Sequence, residues 1–493
     1  MSPEIASIQP GSGEGFTQDP CPAVPEGSGQ PDHSKPAVPE ENAGGIGSPV
    51  RRLFGQLFLH ALILTIALLF AVFYVNTFRG HRLYEWTHGP FNFESGVYQA
   101  YAQGRINILT TGDNKLSKHL LCAVLYPVFY RVLINLFPFR DGPLVCASLG
   151  GLTLLTFGIW AYRRGGKSLL AIALTLLLGF SFNTWYVSSV CESRAFIMFG
   201  AVVLLIAIDL LLRRPCAWSL VFAILASIFS ILITMGNAYL LPLVPVSLLL
   251  RAGRLGIRKV IQWLVLYSLA VGLTIGGTYQ VMGLKVNPQL KIANQVALSR
   301  HETKTIRAHP GRLNWTNYRN VGLQALVYSV GGLYLPCGDR MCDREWVNEN
   351  AWRAYFHYPR GIFFAAGYAV LILTAFAVSI LKNLWLREPI LWIILLWGFL
   401  CITFFVYFNP WAGPVYTAEL QLPFWAFILL TLSRLRSRKI AVLLLVFALV
   451  LFWNNFSVIR YFRYHYGGEQ EKAEMSRSVF PVPPDPVFRP GGV

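Results

Sequence analysis

The chain has 493 residues, 54% of them apolar and only 13% charged, with 42 Lys and Arg against 24 Asp and Glu. Soluble domains carry about a quarter charged residues, so a mean hydropathy of +0.48 excludes an ordinary soluble fold. The net charge of +18 does not indicate nucleic acid, because much of it sits in short loops between apolar runs.

Residues 1–50 are rich in Pro, Gly, Ser and Glu, a composition that buries no core, and read as a disordered cytoplasmic tail. Arg51 and Arg52 then abut the first apolar span and place that side inside. Apolar runs follow near 53–75, 119–137, 144–162, 168–187, 195–212, 216–235, 238–250, 260–281, 360–381, 389–408, 415–433 and 440–459. Most approach the roughly 20 residues that cross a hydrocarbon core. The chain therefore reads as an all-α polytopic membrane protein, with a transmembrane domain over 51–459 and a C-terminal tail over 460–493.

Five loops, at 163–167, 213–214, 251–259, 382–387 and 434–439, hold 15 Lys and Arg, and the positive-inside rule puts all five in the cytoplasm. If every run crosses, all five land outside. If 119–137 does not cross, all five land inside. Pro127 and Asn135 also make 119–137 a poor span. The parity thus predicts eleven crossing helices, a half-embedded external helix within the external segment 76–143, and a large external loop over 282–359. The turns at 188–194 and 409–414 and the tail from Arg460 also fall outside.

Cys122, Cys146, Cys191, Cys216 and Cys401 lie in or beside spans and read as small apolar packers. Cys337 and Cys342 stand close together in the large loop, where a disulfide is expected on an oxidising face. No further ligand stands at a metal-binding spacing beside them.

The candidate chemistry is external. A helix starting near Asn92 carries Glu94, Val97, Tyr98 and Tyr101 on one face, with its aromatic rings at headgroup depth. Glu192 lies in the turn before a span opened by Arg194; it reads equally as a carboxylate favoured by that helix's N-terminus. Between Lys285 and Arg319 stand seven cations, Arg300, Arg307 and Arg312 among them, against the single acid Glu302. Such a patch suits phosphate, or else anionic headgroups. Asp209 is the acid read as lying well inside a run. Asn314-Trp315-Thr316 and Asn455-Phe456-Ser457 match glycosylation acceptors, a pattern common by chance.

Taken together, the acid in Glu94-Ser95-Gly96-Val97-Tyr98, the His119 that opens a run containing Tyr126-Pro127, and Glu192-Ser193-Arg194-Ala195-Phe196 resemble the GT-C superfamily of membrane glycosyltransferases. That superfamily includes protein O-mannosyltransferases and aminoarabinose transferases. The resemblance covers the layout of about 53–250. It departs where many members have two adjacent acids, here Phe93-Glu94-Ser95, and where the His is often followed by Pro, here Leu120.

The resemblance implies a multi-pass protein of the plasma membrane. It implies a polyprenyl-phosphate sugar as donor, a lipid, glycan or protein as acceptor, and membrane lipids but no nucleic acid as partners. On it, Glu94 acts as general base and Glu192 as a second acid. Tyr98, Tyr101, His119, Arg194, Arg300, Arg307 and Arg312 contact substrate. A divalent cation, Mg²⁺ or Mn²⁺, stays open as a cofactor. A polysaccharide polymerase or ligase, with its essential groups in 282–359, and a non-catalytic carrier of lipid-linked sugars are the alternatives.

Overall fold

The structure is a computed structural model that describes residues 49–78, 100, 119–136, 143–191, 193–297, 313–323, 325–326, 330–332, 359–408, 418–435 and 437–466. The chain divides into two units, residues 1–51 and 52–493. Among the described residues the regular structure is entirely helical. The principal helices are α1 (Pro49–Thr77), α2 (Leu120–Leu136), α3 (Leu144–Gly165), α4 (Ser168–Phe180), α5 (Phe182–Ser189), α6 (Arg194–Arg213) and α7 (Ala217–Ile233). They continue as α8 (Leu243–Leu249), α9 (Ile257–Lys285), α10 (Trp315–Leu323), α11 (Pro359–Leu381), α12 (Ile390–Phe408), α13 (Gln421–Leu432) and α14 (Arg438–Tyr466).

Seven of these (α1, α3, α6, α9, α11, α12 and α14) are long and apolar enough to cross a membrane, and α4 with α5 makes an eighth if that bent pair is one span. This is a multi-pass membrane protein. Burial separates its layers. The apolar windows of α3 and α6 are 72% and 78% buried and form the centre, whereas that of α9 is only 17% buried and presents Leu266, Leu269 and Leu273 outward.

The basic loops meet at one end of the bundle. The fully buried Asp209 accepts a hydrogen bond from Trp160 Nε1 at 3.0 Å and pairs with Arg213 at 3.0 Å and Arg164 at 3.3 Å. Glu388 lies between Arg164 and Arg434 and pairs with both. Lys167 Nζ donates to the carbonyls of Ser433 and Leu435, oxygens that the end of α13 leaves without intrahelical partners. Loops distant in sequence are thereby tied together, and with them the running directions of α3, α4, α6, α12 and α13. Asp209, noted in the sequence as an acid inside a run, belongs to this network.

The helix α2 lies against the opposite, far end. Tyr126 approaches Cys146 in the first turn of α3, Oη to Sγ 3.5 Å, and its ring lies 5.8 Å from that of Phe196 in the first turn of α6. Leu120 shares a cluster with Tyr279, near the end of α9, and with Leu290. Ile233, which ends α7, packs in the same cluster as Tyr126. Helix α14 runs from Arg438 at the basic end to this far end, where the Arg460 guanidinium stands 5.9 Å over the Phe456 ring.

One expected span is broken. The run 168–187 bends by 59° at Ser181 into α4 and α5. A broken helix in apolar surroundings needs new partners for its freed backbone groups, and side chains remote in sequence supply them. Phe182 N donates to Val330 O at 2.8 Å, and Asn455 Nδ2 donates to Phe180 O and Val330 O. Asn455 Oδ1 accepts from Gly332 N at 2.7 Å. The Asn455 side chain is thus fully buried and spent on the backbone, which removes it as a glycosylation acceptor in the folded protein. By contrast, Asn314 is exposed, and its Oδ1 accepts from Asn317 N at the start of α10.

Helix contacts here depend on small residues, because lipid tails leave little hydrophobic drive between helices. A Cβ on Gly151 of α3 meets the Ala67 carbonyl oxygen of α1 at 2.9 Å, and one on Gly55 meets nothing within 4 Å. Gly151→Ala should therefore destabilise the protein by about 1–3 kcal/mol, since a main-chain atom cannot step aside cheaply. Gly55→Ala should be neutral or gain up to about 1 kcal/mol of helix propensity. Thermal unfolding in detergent checks the pair, and equal midpoints would contradict the close α1–α3 approach.

Candidate functional site

The far end is built on α5, all eight residues of which are buried. Trp185 Nε1 donates to Thr77 Oγ1 and Thr184 Oγ1 to Gln421 Oε1, both at 2.9 Å, tying α5 to α1 and α13. Ser181 Oγ accepts from Trp425 Nε1 at 3.2 Å and so links the break to α13 as well. These bonds hold the segment that ends in the buried Cys191 and, past one residue, resumes at the buried Ser193 and the half-buried Arg194.

Arg194 faces an acid that sequence reading passed over. Glu419 lies in a one-turn 3-10 helix, Ala418–Leu420, that leads into α13, and it is 1% exposed. Tyr239, in the 3-10 helix Met235–Leu240 after α7, donates to Glu419 Oε1 at 2.7 Å. The Tyr239 ring stacks on Phe404 with centroids 5.0 Å apart, which fixes the hydroxyl's direction. Glu419 Oε2 is buried and accepts no hydrogen bond among the described residues. The Arg194 charge lies within electrostatic reach of this carboxyl. The buried Cys401 of α12 lies beside this cluster of Tyr239, Glu419 and Arg194.

Of the sequence candidates, His119 and Arg194 fall within the described residues. His119 is half-buried at the head of α2, its carbonyl accepting from Ala123 N at 2.9 Å, and Arg194 is half-buried at the head of α6. Both lie at the far end, on separate helices. Glu94, Tyr98, Tyr101, Glu192, Arg300, Arg307 and Arg312 lie outside the described residues, as do Cys337 and Cys342.

Glu419 had a signal in the sequence. It is an acid heading the apolar run Ala418-Glu419-Leu420-Gln421-Leu422, and ionisable residues in such runs are functional candidates by default. Tyr239 had none, because its partner lies 180 positions away. Among the described residues no group of three or more His, Cys, Asp or Glu stands together as a metal site. No protein-family model, characterised protein or solved structure matches the chain.

The Tyr239–Glu419 bond predicts energetic coupling. In a double-mutant cycle of Tyr239→Phe and Glu419→Gln, the interaction term should reach about 0.5–3 kcal/mol, the range for partners within one hydrogen-bond network. Unfolding midpoints of the four proteins in mixed micelles measure it. Additivity would mean that the bond contributes nothing.

Proposed function

We propose that this chain is an integral-membrane glycosyltransferase of the GT-C type, moving a sugar from a polyprenyl-phosphate donor to an acceptor at the external face of the plasma membrane. The observation that supports it most is the far-end grouping. His119 and Arg194, the described members of the motifs behind the resemblance, lie at the end opposite the ion-paired basic loops. If the basic end is cytoplasmic, those motifs face outside.

In this reading eleven helices cross. Added to the seven long helices and the bent α4–α5 pair are three shorter segments, α7, Met235–Leu249 and α13. Each runs between the far-end cluster and the basic loops, while α2 stays in the outer leaflet. A cysteine at Phe139 (Phe139→Cys, in a background without native cysteines) should then react with an impermeant thiol reagent added outside. Labelling only after permeabilisation would reverse the topology.

The chemistry is an inverting displacement. Glu94 takes the proton of an acceptor hydroxyl as its oxygen attacks the anomeric carbon, and the bond from that carbon to the phosphate oxygen breaks. The released polyprenyl phosphate carries the electron pair, which Arg300, Arg307 or Arg312 stabilises. Glu192 serves as a second acid or a ligand of the acceptor. The Glu419–Tyr239 pair holds a buried, hydrogen-bonded acid beside Arg194.

The test is turnover of the purified protein on a panel of polyprenyl-phosphate sugars. Glu94→Gln keeps shape but cannot accept the proton, so turnover should fall about 10²–10⁴-fold with donor binding little changed. Arg307→Ala or Arg312→Ala should mainly weaken donor binding. Near-normal turnover of Glu94→Gln, with chemistry limiting the rate, would refute Glu94 as the base. Inertness of the wild type toward every donor in the panel would count against the transferase reading itself.

A further inference from the structure

The basic end holds more positive charge than its ion pairs consume. A cavity of about 180 Å³ opens there, its charged wall made by Arg164, Arg213, Arg251, Arg254 and Arg387 against Asp209 and Glu388. The two carboxylates are already engaged, Asp209 by Arg164 and Arg213, and Glu388 by Arg164 and Arg434. Arg251, Arg254 and Arg387 have no ion-pair partner among the described residues.

Arg251 is the most constrained of the three. Its Nε is shut off from solvent and donates no hydrogen bond among the described residues. Loss of water, and then the neighbouring Arg254, hold its guanidinium below the usual arginine value, with Glu388 acting in the opposite sense. An arginine in a protein does not shed its proton, so the site's remaining demand is for an anion.

Topology asks only that these loops be basic. It does not ask that Arg251 and Arg254 from one loop and Arg387 from another line a single cavity. The space suits a phosphate group and is smaller than the roughly 300 Å³ at which pockets for whole drug-sized molecules begin. Guanidinium forks match phosphate oxygens in bidentate fashion. A second cavity, of about 580 Å³, adjoins the first through Arg387 and adds Lys382 and Arg434 together with the apolar Leu384 and Leu435. It can receive the remainder of a phosphate ester.

We propose that the cavity lined by Arg251, Arg254 and Arg387 binds a phosphate-bearing anion, a phospholipid headgroup or a free phosphate, at the end of the bundle opposite Arg194 and Glu419. The inference does not depend on the transferase reading.

The experiment uses the full chain in neutral detergent and reads the thermal midpoint as probes are titrated. The probes are short-chain phosphatidylglycerol, short-chain phosphatidylcholine and inorganic phosphate. Phosphatidylglycerol should raise the midpoint above any effect of phosphatidylcholine. Arg251→Gln, Arg254→Gln and Arg387→Gln should each weaken its apparent affinity about tenfold, as expected for one charged hydrogen-bonding partner. Arg163→Gln, an exposed cation of the same end that lines none of these walls, should leave it unchanged.

Stabilisation by inorganic phosphate as well would show that the phosphate group suffices; stabilisation by phosphatidylglycerol alone would assign a lipid headgroup. Arg254 and Arg387 are exposed, so their variants fold even if Arg251→Gln does not. The proposal is overturned if no anion outperforms phosphatidylcholine. It is equally overturned if the Arg254→Gln and Arg387→Gln variants respond like the wild type, or if Arg163→Gln weakens the response as much as they do.

Discussion

Glu388, held between Arg164 and Arg434, and Asp209, held among Arg164, Arg213 and Trp160, are the contacts on which the arrangement rests. Charges in low dielectric survive only when paired, and removing one partner of a buried pair typically costs about 3–5 kcal/mol. Two acids therefore draw loops far apart in sequence to one end of the bundle. Once those ends coincide, the direction of each attached helix follows, and so does the end at which Arg194, Tyr239 and Glu419 emerge.

Between the two ends, neutral hydrogen bonds and close backbone contacts do the work that hydrophobic burial does in water. Tyr74 Oη reaches Gly179 O at 2.7 Å, Trp185 reaches Thr77, and Asn455 serves three backbone groups beside the Ser181 break. Breaks in transmembrane helices persist only where such partners exist. In many membrane proteins a broken helix lies beside the functional centre. Here the break sets the angle of α5, which leads directly toward Arg194.

The two ends differ in chemistry. Among the described residues, the far-end cluster sets the buried Glu419 carboxyl beside the Tyr239 phenol, the Cys401 thiol and the Arg194 guanidinium. The basic end has cations in excess of acids around its cavities. The far-end group bears on the proposed reaction, and the basic end on the proposed anion site.

The sequence by itself determined the class, the long apolar helices and the clustering of positive loops, because hydropathy and charge are local properties readable in a window of some 20 residues. The expectation that α2 does not cross rests on the parity of the basic loops, Pro127 and Asn135 alone. Of the candidate site the sequence marked His119 and Arg194, through motif and position.

Only the tertiary structure decided the break at Ser181, whose stabilising partners Val330 and Asn455 are remote in the chain. It alone turned Asn455 from an apparent acceptor motif into a buried backbone tie. It alone joined Tyr239 to Glu419 and gathered Arg251, Arg254 and Arg387 around one cavity. The physical reason is common to the first three: a polar group in an apolar medium must find a partner wherever the fold brings one, and that partner's distance along the chain is not encoded in any local pattern.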